Sequence, residues 1–160
     1  MRESNSTLPG TELTPPFQTP AGMLGMQICF DLRFPQPAAL LRERGAQVLC
    51  YPSAFMVGTG TAHWEVLLRA RAVETQCWVV APAQCGWHFE KGVGERCSYG
   101  ESLVVDPWGR VVGRGGKMSV GEGRREVEDE LVVCEIDLEM VEEVRGQVPL
   151  RGGKDVYGCE

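Results

Sequence analysis

The fold is decided by residues 25–36, which read GMQICFDLRFPQ. They belong to an apolar run that starts at Met23 and continues to Phe30, a pattern typical of a strand buried on both faces of a sheet. The chain then turns polar at Arg33, and prolines open a short helix. We therefore expect the thiol of Cys29 at the end of a buried strand, with a helix N-terminus a few residues downstream.

The same alternation continues along the chain. The helix PQPAALLRER closes at Gly45, and AQVLCYP follows as a second buried strand. A glycine-containing loop leads to the helix AHWEVLLRARAVETQ, whose apolar stripe is formed by Trp64, Leu67, Leu68, Ala72 and Val73. The third strand is CWVVAPA. Strands that alternate with helices predict an α/β fold with parallel pairing and right-handed crossovers.

The second half has a different pattern. SLVVDPWGRVVGR predicts an antiparallel hairpin around a type I turn, LVVCEID a last strand, and LEMVEEVRGQV a short helix. Residues 1–22 are expected to be an irregular approach segment, and the glycine-rich, charged residues 115–130 a mobile loop. The sequence thus predicts a mixed parallel and antiparallel sheet.

Composition limits the possible partners. The chain has 160 residues, of which 43% are hydrophobic and 24% charged, with a net charge of −6. These values indicate a globular domain and argue against binding to nucleic acid or to an anionic membrane surface. No apolar run is long enough to span a bilayer, and no signal peptide is recognisable. Seven cysteines without a CxxC pair favour reduced thiols and a cytoplasmic location, with a mitochondrial form left open.

Cys29 is the candidate nucleophile, because a helix N-terminus and the Arg33 cation would both favour its thiolate. A small buried hydrophobic residue is the alternative interpretation. His63 lies at the start of the second helix and could cap it or line the site, and His88 is expected in a polar loop, WHFEKGVGERC. Neither histidine is distinguished by its context as an activating base. No spacing of Cys and His resembles a zinc site, and we predict neither a metal nor a cofactor.

Several motifs in consecutive order carry a family resemblance. GMQICFDLRFPQ, LCYPSAF, AHWEVLLRARAVETQCWVVAPAQCG, SYGESLVVDPWGRVV and DVYG together resemble the nitrilase superfamily of carbon–nitrogen hydrolases, in particular its Nit branch of ω-amidases. The resemblance runs from about residue 2 to residue 158. It implies a four-layer α-β-β-α sandwich, a small-molecule amide substrate such as deaminated glutathione or an α-keto acid ω-amide, and a homo-oligomer.

The resemblance also implies roles for individual residues. Cys29 matches the nucleophile that forms a thioester, and Glu3 matches a glutamate that positions the reacting groups. The backbone N–H of Phe30 would be an oxyanion donor, and Arg33 and Phe55 would bind the carboxylate-bearing substrate. By the same resemblance, the remaining two candidates, Asp31 and Glu65, would orient their neighbours through ion pairs.

Two further catalytic groups of the family, a general-base glutamate and a lysine, would lie before residue 1. The chain is therefore expected to be the C-terminal part of a carbon–nitrogen hydrolase domain. Lys91, Lys117 and Lys154 do not match the family's lysine motif. Three functions stay open at this point: an amidase that needs residues outside 1–160, an inactive form that acts as a binding or interaction protein, and a thiol redox switch at Cys29.

Overall fold

The computed structural model of the chain describes residues 8, 10–90, 94–121, 123 and 127–150. In chain order the elements are β1 (Phe17–Thr19), β2 (Gly22–Met26), a 3-10 helix (Cys29–Arg33), α1 (Pro35–Glu43), β3 (Val48–Cys50), α2 (Val57–Thr75), β4 (Trp78–Ala81), β5 (Cys85–Glu90), β6 (Gly94–Tyr99), β7 (Leu103–Val105), β8 (Val111–Arg114) and α3 (Glu139–Gln147).

Six strands form one mixed sheet in the order β1-β2-β3-β4-β7-β8. Strands β2, β3 and β4 are parallel, and the pairs β1–β2, β4–β7 and β7–β8 are antiparallel. The parallel strands are connected through α1 and α2, as right-handed crossover units require. The predicted α/β class with a mixed sheet is therefore confirmed, as is the hairpin β7–β8.

Two apolar clusters cover the two faces of this sheet. Alternate residues of one strand separate them, since Leu49 of β3 belongs to the first cluster and Val48 to the second. The first cluster packs α1 and α2 against the sheet and includes Trp64 and Leu68. The second cluster packs the segment that leads into α3 and includes Val141. Val73 was expected in the apolar stripe of α2, but its side chain is 52% exposed.

Strand β2 is shorter than the sequence predicts. It ends at Met26, and Cys29 begins the 3-10 helix three residues later. The backbone is still extended at Ile28, with φ −132° and ψ 130°, and it leaves the extended conformation at Cys29, where φ is +42°. Helix α2 is longer than predicted and begins at Val57 rather than after a loop. The Thr61 hydroxyl donates to the carbonyl of Val57 at 2.9 Å within its first turn.

Three further expectations need correction. The polar loop expected around His88 is the hairpin β5–β6. The irregular segment 1–22 contains β1, while residues 1–7 and 9 lie outside the described residues. Burial alternates along residues 131–137, but among the described residues they pair with no strand, so the predicted last strand is not formed there. For the expected mobile loop 115–130, the structure describes residues 115–121, 123 and 127–130.

None of the helices in the described part of the chain combines the length and apolar character that crossing a membrane requires. Helix α3 is as predicted, and Val141 and Val144 form its buried face.

Candidate active site

The candidate site is centred on a sharp turn between β2 and α1. Cys29 is half-buried at the start of the 3-10 helix, and its backbone N–H donates to the carbonyl of Pro52 at 3.0 Å. This bond continues the pairing of β2 with β3 beyond the strand itself, since the N–H of Gln27 also donates to the carbonyl of Cys50. The turn is therefore held by the backbone that follows β3, at the carboxyl edge of the parallel strands, where α/β proteins place their sites.

The 3-10 helix is fixed by polar contacts at both ends. The Asp31 carboxylate accepts a hydrogen bond from the N–H of Ile28 at 2.9 Å and so closes the turn around Cys29. The Arg71 guanidinium, which is 4% exposed, donates to the carbonyl of Leu32 at 3.1 Å and fastens the helix to α2. Asp31 thus stabilises the turn through a backbone hydrogen bond, whereas an ion pair was expected.

Arg33 lies between two aromatic rings. Its guanidinium carbon is 5.6 Å from the ring centroid of Phe30 and 5.3 Å from that of Phe55. One guanidinium nitrogen is 3.3 Å from Nδ1 of His63, and the ring nitrogen accepts this bond. Among the described residues, no carboxylate lies within salt-bridge distance of Arg33. Its positive charge is therefore available to an anionic ligand.

The floor under Arg33 is rigid. Phe55 is 7% exposed and packs on Trp64 with a centroid distance of 4.8 Å. The indole N–H of Trp64 donates to the backbone carbonyl of Glu101 at 2.7 Å. The ring of Phe55 therefore packs on a buried side chain that is itself hydrogen-bonded.

Glu101 is a buried carboxylate at the centre of an ion cluster whose other members are partly exposed. Its side chain accepts hydrogen bonds from Tyr99 at 2.8 Å, from Lys117 at 2.6 Å and from Arg114. Burial opposes ionisation of Glu101, but the hydrogen bonds from Lys117 and Tyr99 and the nearby cations outweigh it, so that the pKa of the carboxyl is lowered. Glu65 completes the cluster through Arg114 at 2.8 Å.

The structure brings five of the seven candidate residues together. Cys29, Phe30, Asp31 and Arg33 lie in the 3-10 helix, and Phe55 packs against Arg33. Glu65 instead pairs with Arg114 and, at 3.7 Å, with Arg69, and these ion pairs are on the Glu101 side of α2. Glu3 lies outside the described residues.

Sequence reasoning missed His63 as the partner of Arg33, because a histidine 30 positions away carries no local signal. It also missed the Glu101 cluster. The weak signal there was a charged residue between two apolar strands, since a carboxylate in such a position needs partners.

In the described part of the chain, no group of three or more Cys, His, Asp or Glu side chains is arranged to hold a metal ion. Cys29, Cys50, Cys77 and Cys134 carry free thiols. Burial raises the pKa of the Cys50 and Cys77 thiols, which keeps them protonated and unreactive.

The sheet and the turn at Cys29 together define the class of protein. The model of the carbon–nitrogen hydrolase family matches residues 1–146, and the chain belongs to that family.

Individual relatives agree with this assignment. Deaminated glutathione amidase from Bos taurus is 53% identical over 160 residues, which are 99% of this chain and 44% of the bovine protein. The crystal structure of the Caenorhabditis elegans NitFhit protein superposes with a TM-score of 0.84 at 46% identity and covers 98% of this chain and 35% of that one. The chain thus spans about half of its relatives' length or less.

A third neighbour bears on the chemistry. A mutant amidase from Nesterenkonia sp. AN1 is 32% identical, with a TM-score of 0.62 over 71% of this chain and 41% of that one. Its structure is described as showing covalent addition of the acetamide moiety of fluoroacetamide at the active-site cysteine.

Proposed function

We propose that this chain carries the nucleophile and the carboxylate-binding arginine of an amidase that acts on small linear amides with a carboxylate group, such as deaminated glutathione or an α-keto acid ω-amide. The observation that carries the proposal is the turn at Cys29. A half-buried thiol in left-handed backbone begins the same 3-10 helix that ends with Arg33, a cation with no salt bridge to any described carboxylate. A thiol in a strained turn, next to an anion-binding side chain, is typical of a site rather than of a core.

The proposed reaction has two steps. The Cys29 thiolate attacks the amide carbonyl carbon, the C–N bond breaks, and nitrogen leaves as ammonia with a proton from a general acid. Water then attacks the thioester carbonyl, and the carboxylic acid and the free thiol are released. The backbone N–H of Phe30, in the first turn of the 3-10 helix, would donate to the oxyanion, since N–H groups there have no acceptor within the helix.

Complete turnover would depend on the family's general-base glutamate and lysine, which are not among residues 1–160. We place Glu3 beside them as the positioning glutamate, by resemblance alone. General acid–base catalysis contributes about 10²–10⁴-fold and an oxyanion donor about 10²–10³-fold. The 160-residue chain alone is therefore expected to form the thioester slowly and to hydrolyse amides at a negligible rate.

The test is the mass of a trapped intermediate together with the mass of the native protein. Glutaramate is mixed with the protein captured from its own cells by an antibody against residues 151–160, the reaction is quenched in acid, and Cys29 peptides are analysed. We expect a glutaryl thioester on Cys29, absent in Cys29→Ser and unchanged in the control Cys97→Ser. Turnover by a native protein heavier than 17.6 kDa supports the proposal. Turnover without label at Cys29 would overturn it.

A second candidate is a catalytically inactive binding or interaction protein. It is favoured by the exposed apolar side chains Leu131 and Val133, which are 86% and 78% exposed in an extended segment. A native mass of 17.6 kDa without turnover would favour this candidate. The same exposed residues, with Trp108 and Val73, are consistent with the homo-oligomer that we propose for the active protein.

We place the protein in the cytoplasm. The support is the free thiols of Cys29, Cys50, Cys77 and Cys134, which a reducing compartment would preserve.

A further inference from the structure

The pair formed by Arg33 and His63 is not explained by packing. His63 lies on the exposed side of α2, and Arg33 is half-buried in the 3-10 helix. Their side chains meet at 3.3 Å across 30 residues of sequence. A guanidinium that faced only solvent would not make a hydrogen bond to an imidazole on another helix.

Helix α2 contacts the 3-10 helix along one stripe. His63, Leu67 and Arg71 are spaced by four residues and therefore lie on one side of α2. Arg71 binds the carbonyl of Leu32, Leu67 packs against the first apolar cluster, and His63 binds the next side chain, that of Arg33. Arg71 thus fixes the backbone of the helix, while His63 fixes the direction of the guanidinium.

The geometry leaves the rest of the guanidinium available. A guanidinium has five N–H donors in a fixed plane, and one of them is directed at Nδ1 of His63. The Phe30 and Phe55 rings restrict the same group from other directions. A guanidinium whose orientation is already fixed loses less entropy than a freely rotating one when it binds a carboxylate through two parallel hydrogen bonds.

We propose that His63 is the positioning residue of the carboxylate subsite: Nδ1 of His63 accepts one N–H of Arg33, and the other donors are thereby presented to the carboxylate of the substrate. This proposal rests on the proposed function, because it assumes that the ligand of Arg33 is a carboxylate. His63 would contribute to substrate specificity through Arg33 and would not contact the reacting atoms.

The test uses binding, so that turnover is not required. Cys29 of the full chain is alkylated with iodoacetamide, and the rate is measured at increasing concentrations of glutarate, with glutaramide as the uncharged comparison. We expect glutarate to protect Cys29 in the unsubstituted chain. In His63→Ala the concentration for half protection should rise about 5-fold, as expected for one lost hydrogen bond. Each rate is expressed relative to that of the same protein without ligand, and any protection by glutaramide should be equal in the two proteins.

Two variants separate positioning from general damage. His63→Asn keeps an acceptor oxygen near the place of Nδ1 and should restore protection to within about 2-fold. His88→Ala removes the other histidine, which binds Ser98 at 2.8 Å on the β5–β6 hairpin, and should leave protection unchanged. Circular dichroism of each variant verifies that it folds.

The outcomes are distinct. Equal protection of the unsubstituted chain and His63→Ala by glutarate would overturn the role of His63 and leave the proposed function intact. No protection of the unsubstituted chain would overturn the carboxylate ligand of Arg33, and with it both proposals. If His63→Asn behaved like His63→Ala, the acceptor role at Nδ1 would be wrong.

Discussion

The indole N–H of Trp64 donates to the backbone carbonyl of Glu101 at 2.7 Å, and this bond joins the middle of α2 to the chain just before β7. Both residues are about 1% exposed. The hydrogen bond therefore connects the aromatic floor of the Cys29 site with the ion cluster around Glu101, and a change at one is expected to affect the other.

Trp64→Phe should cost about 1–2 kcal/mol of unfolding free energy, because it keeps a ring against Phe55 but leaves the Glu101 carbonyl without its donor. Urea unfolding followed by circular dichroism measures the change. Trp108→Phe is the control, since Trp108 is 47% exposed. This substitution should change the free energy of unfolding by less than about 0.5 kcal/mol. Equal effects of the two substitutions would contradict the role given to the indole N–H.

The stability of the chain should fall in acid because of Glu101. Its pKa is lowered in the folded state, so the unfolded state binds the proton more readily. The stabilisation is thus fully present above the ordinary glutamate pKa of about 4.3, and it is lost as the pH falls through the lower folded value. Urea midpoints measured from pH 7 to pH 3 should decrease below about pH 4.

Glu101→Gln tests the origin of this acid sensitivity. It should lower the free energy of unfolding by about 2 kcal/mol at pH 7, because Lys117 and Arg114 lose a charged acceptor. The decrease of the urea midpoint in acid should also become smaller. Glu65→Gln is the matched control, since Glu65 binds Arg114 with a side chain that is 37% exposed, and should cost less than about 1 kcal/mol. An unchanged acid profile in Glu101→Gln would place the sensitivity elsewhere.

Two glycines in the first turns of α2 should respond to alanine in opposite ways. At Gly60 an added Cβ would overlap the Tyr99 ring, so Gly60→Ala should destabilise by about 1–3 kcal/mol. At Gly58 nothing lies within 4 Å, so Gly58→Ala should stabilise the helix by about 0.5–1 kcal/mol. Thermal unfolding of both variants measures the difference, and a shift in the same direction would argue against close packing of α2 on β6.

The extended segment 131–137 should promote association of the chain. Leu131 and Val133 point outward beside backbone that no strand pairs in the described structure. We expect concentration-dependent association in sedimentation velocity, reduced by Leu131→Lys combined with Val133→Lys. Substitution of inward-facing Val132 and Cys134 by alanine is the comparison and should lower stability instead. A monomer at all concentrations would contradict this prediction.

The parallel core could be predicted from sequence because each of its strands is a continuous apolar run, as in AQVLCYP. The hairpin β5–β6 could not, since its charged residues hide the alternation of a strand. The position of the turn at Cys29 was predicted, but its backbone conformation was not. Its left-handed φ depends on the hydrogen bond to Pro52, more than 20 positions away.

The candidate site, like the fold, could be predicted only where its signals are local in sequence. Local motifs indicated Cys29 and Arg33, which are neighbours in sequence. The contacts that support the site join residues that are distant in sequence. His63 binds Arg33, and the backbone carbonyl of Glu101 binds the indole of Trp64. Contacts of this kind depend on the tertiary fold, and their residues follow no periodicity that a sequence would display.

Cys29 holds its backbone at a φ of 42°, a conformation that glycine adopts freely and a side-chain-bearing residue adopts at a cost of about 1 kcal/mol. Selection for thermal robustness alone would therefore favour glycine at this position and discard the thiol. Under the proposed function, the cysteine in this turn would be a compromise between stability and reactivity. In a lineage that no longer needed the proposed reaction, we expect position 29 to change to glycine or asparagine before it changes to alanine.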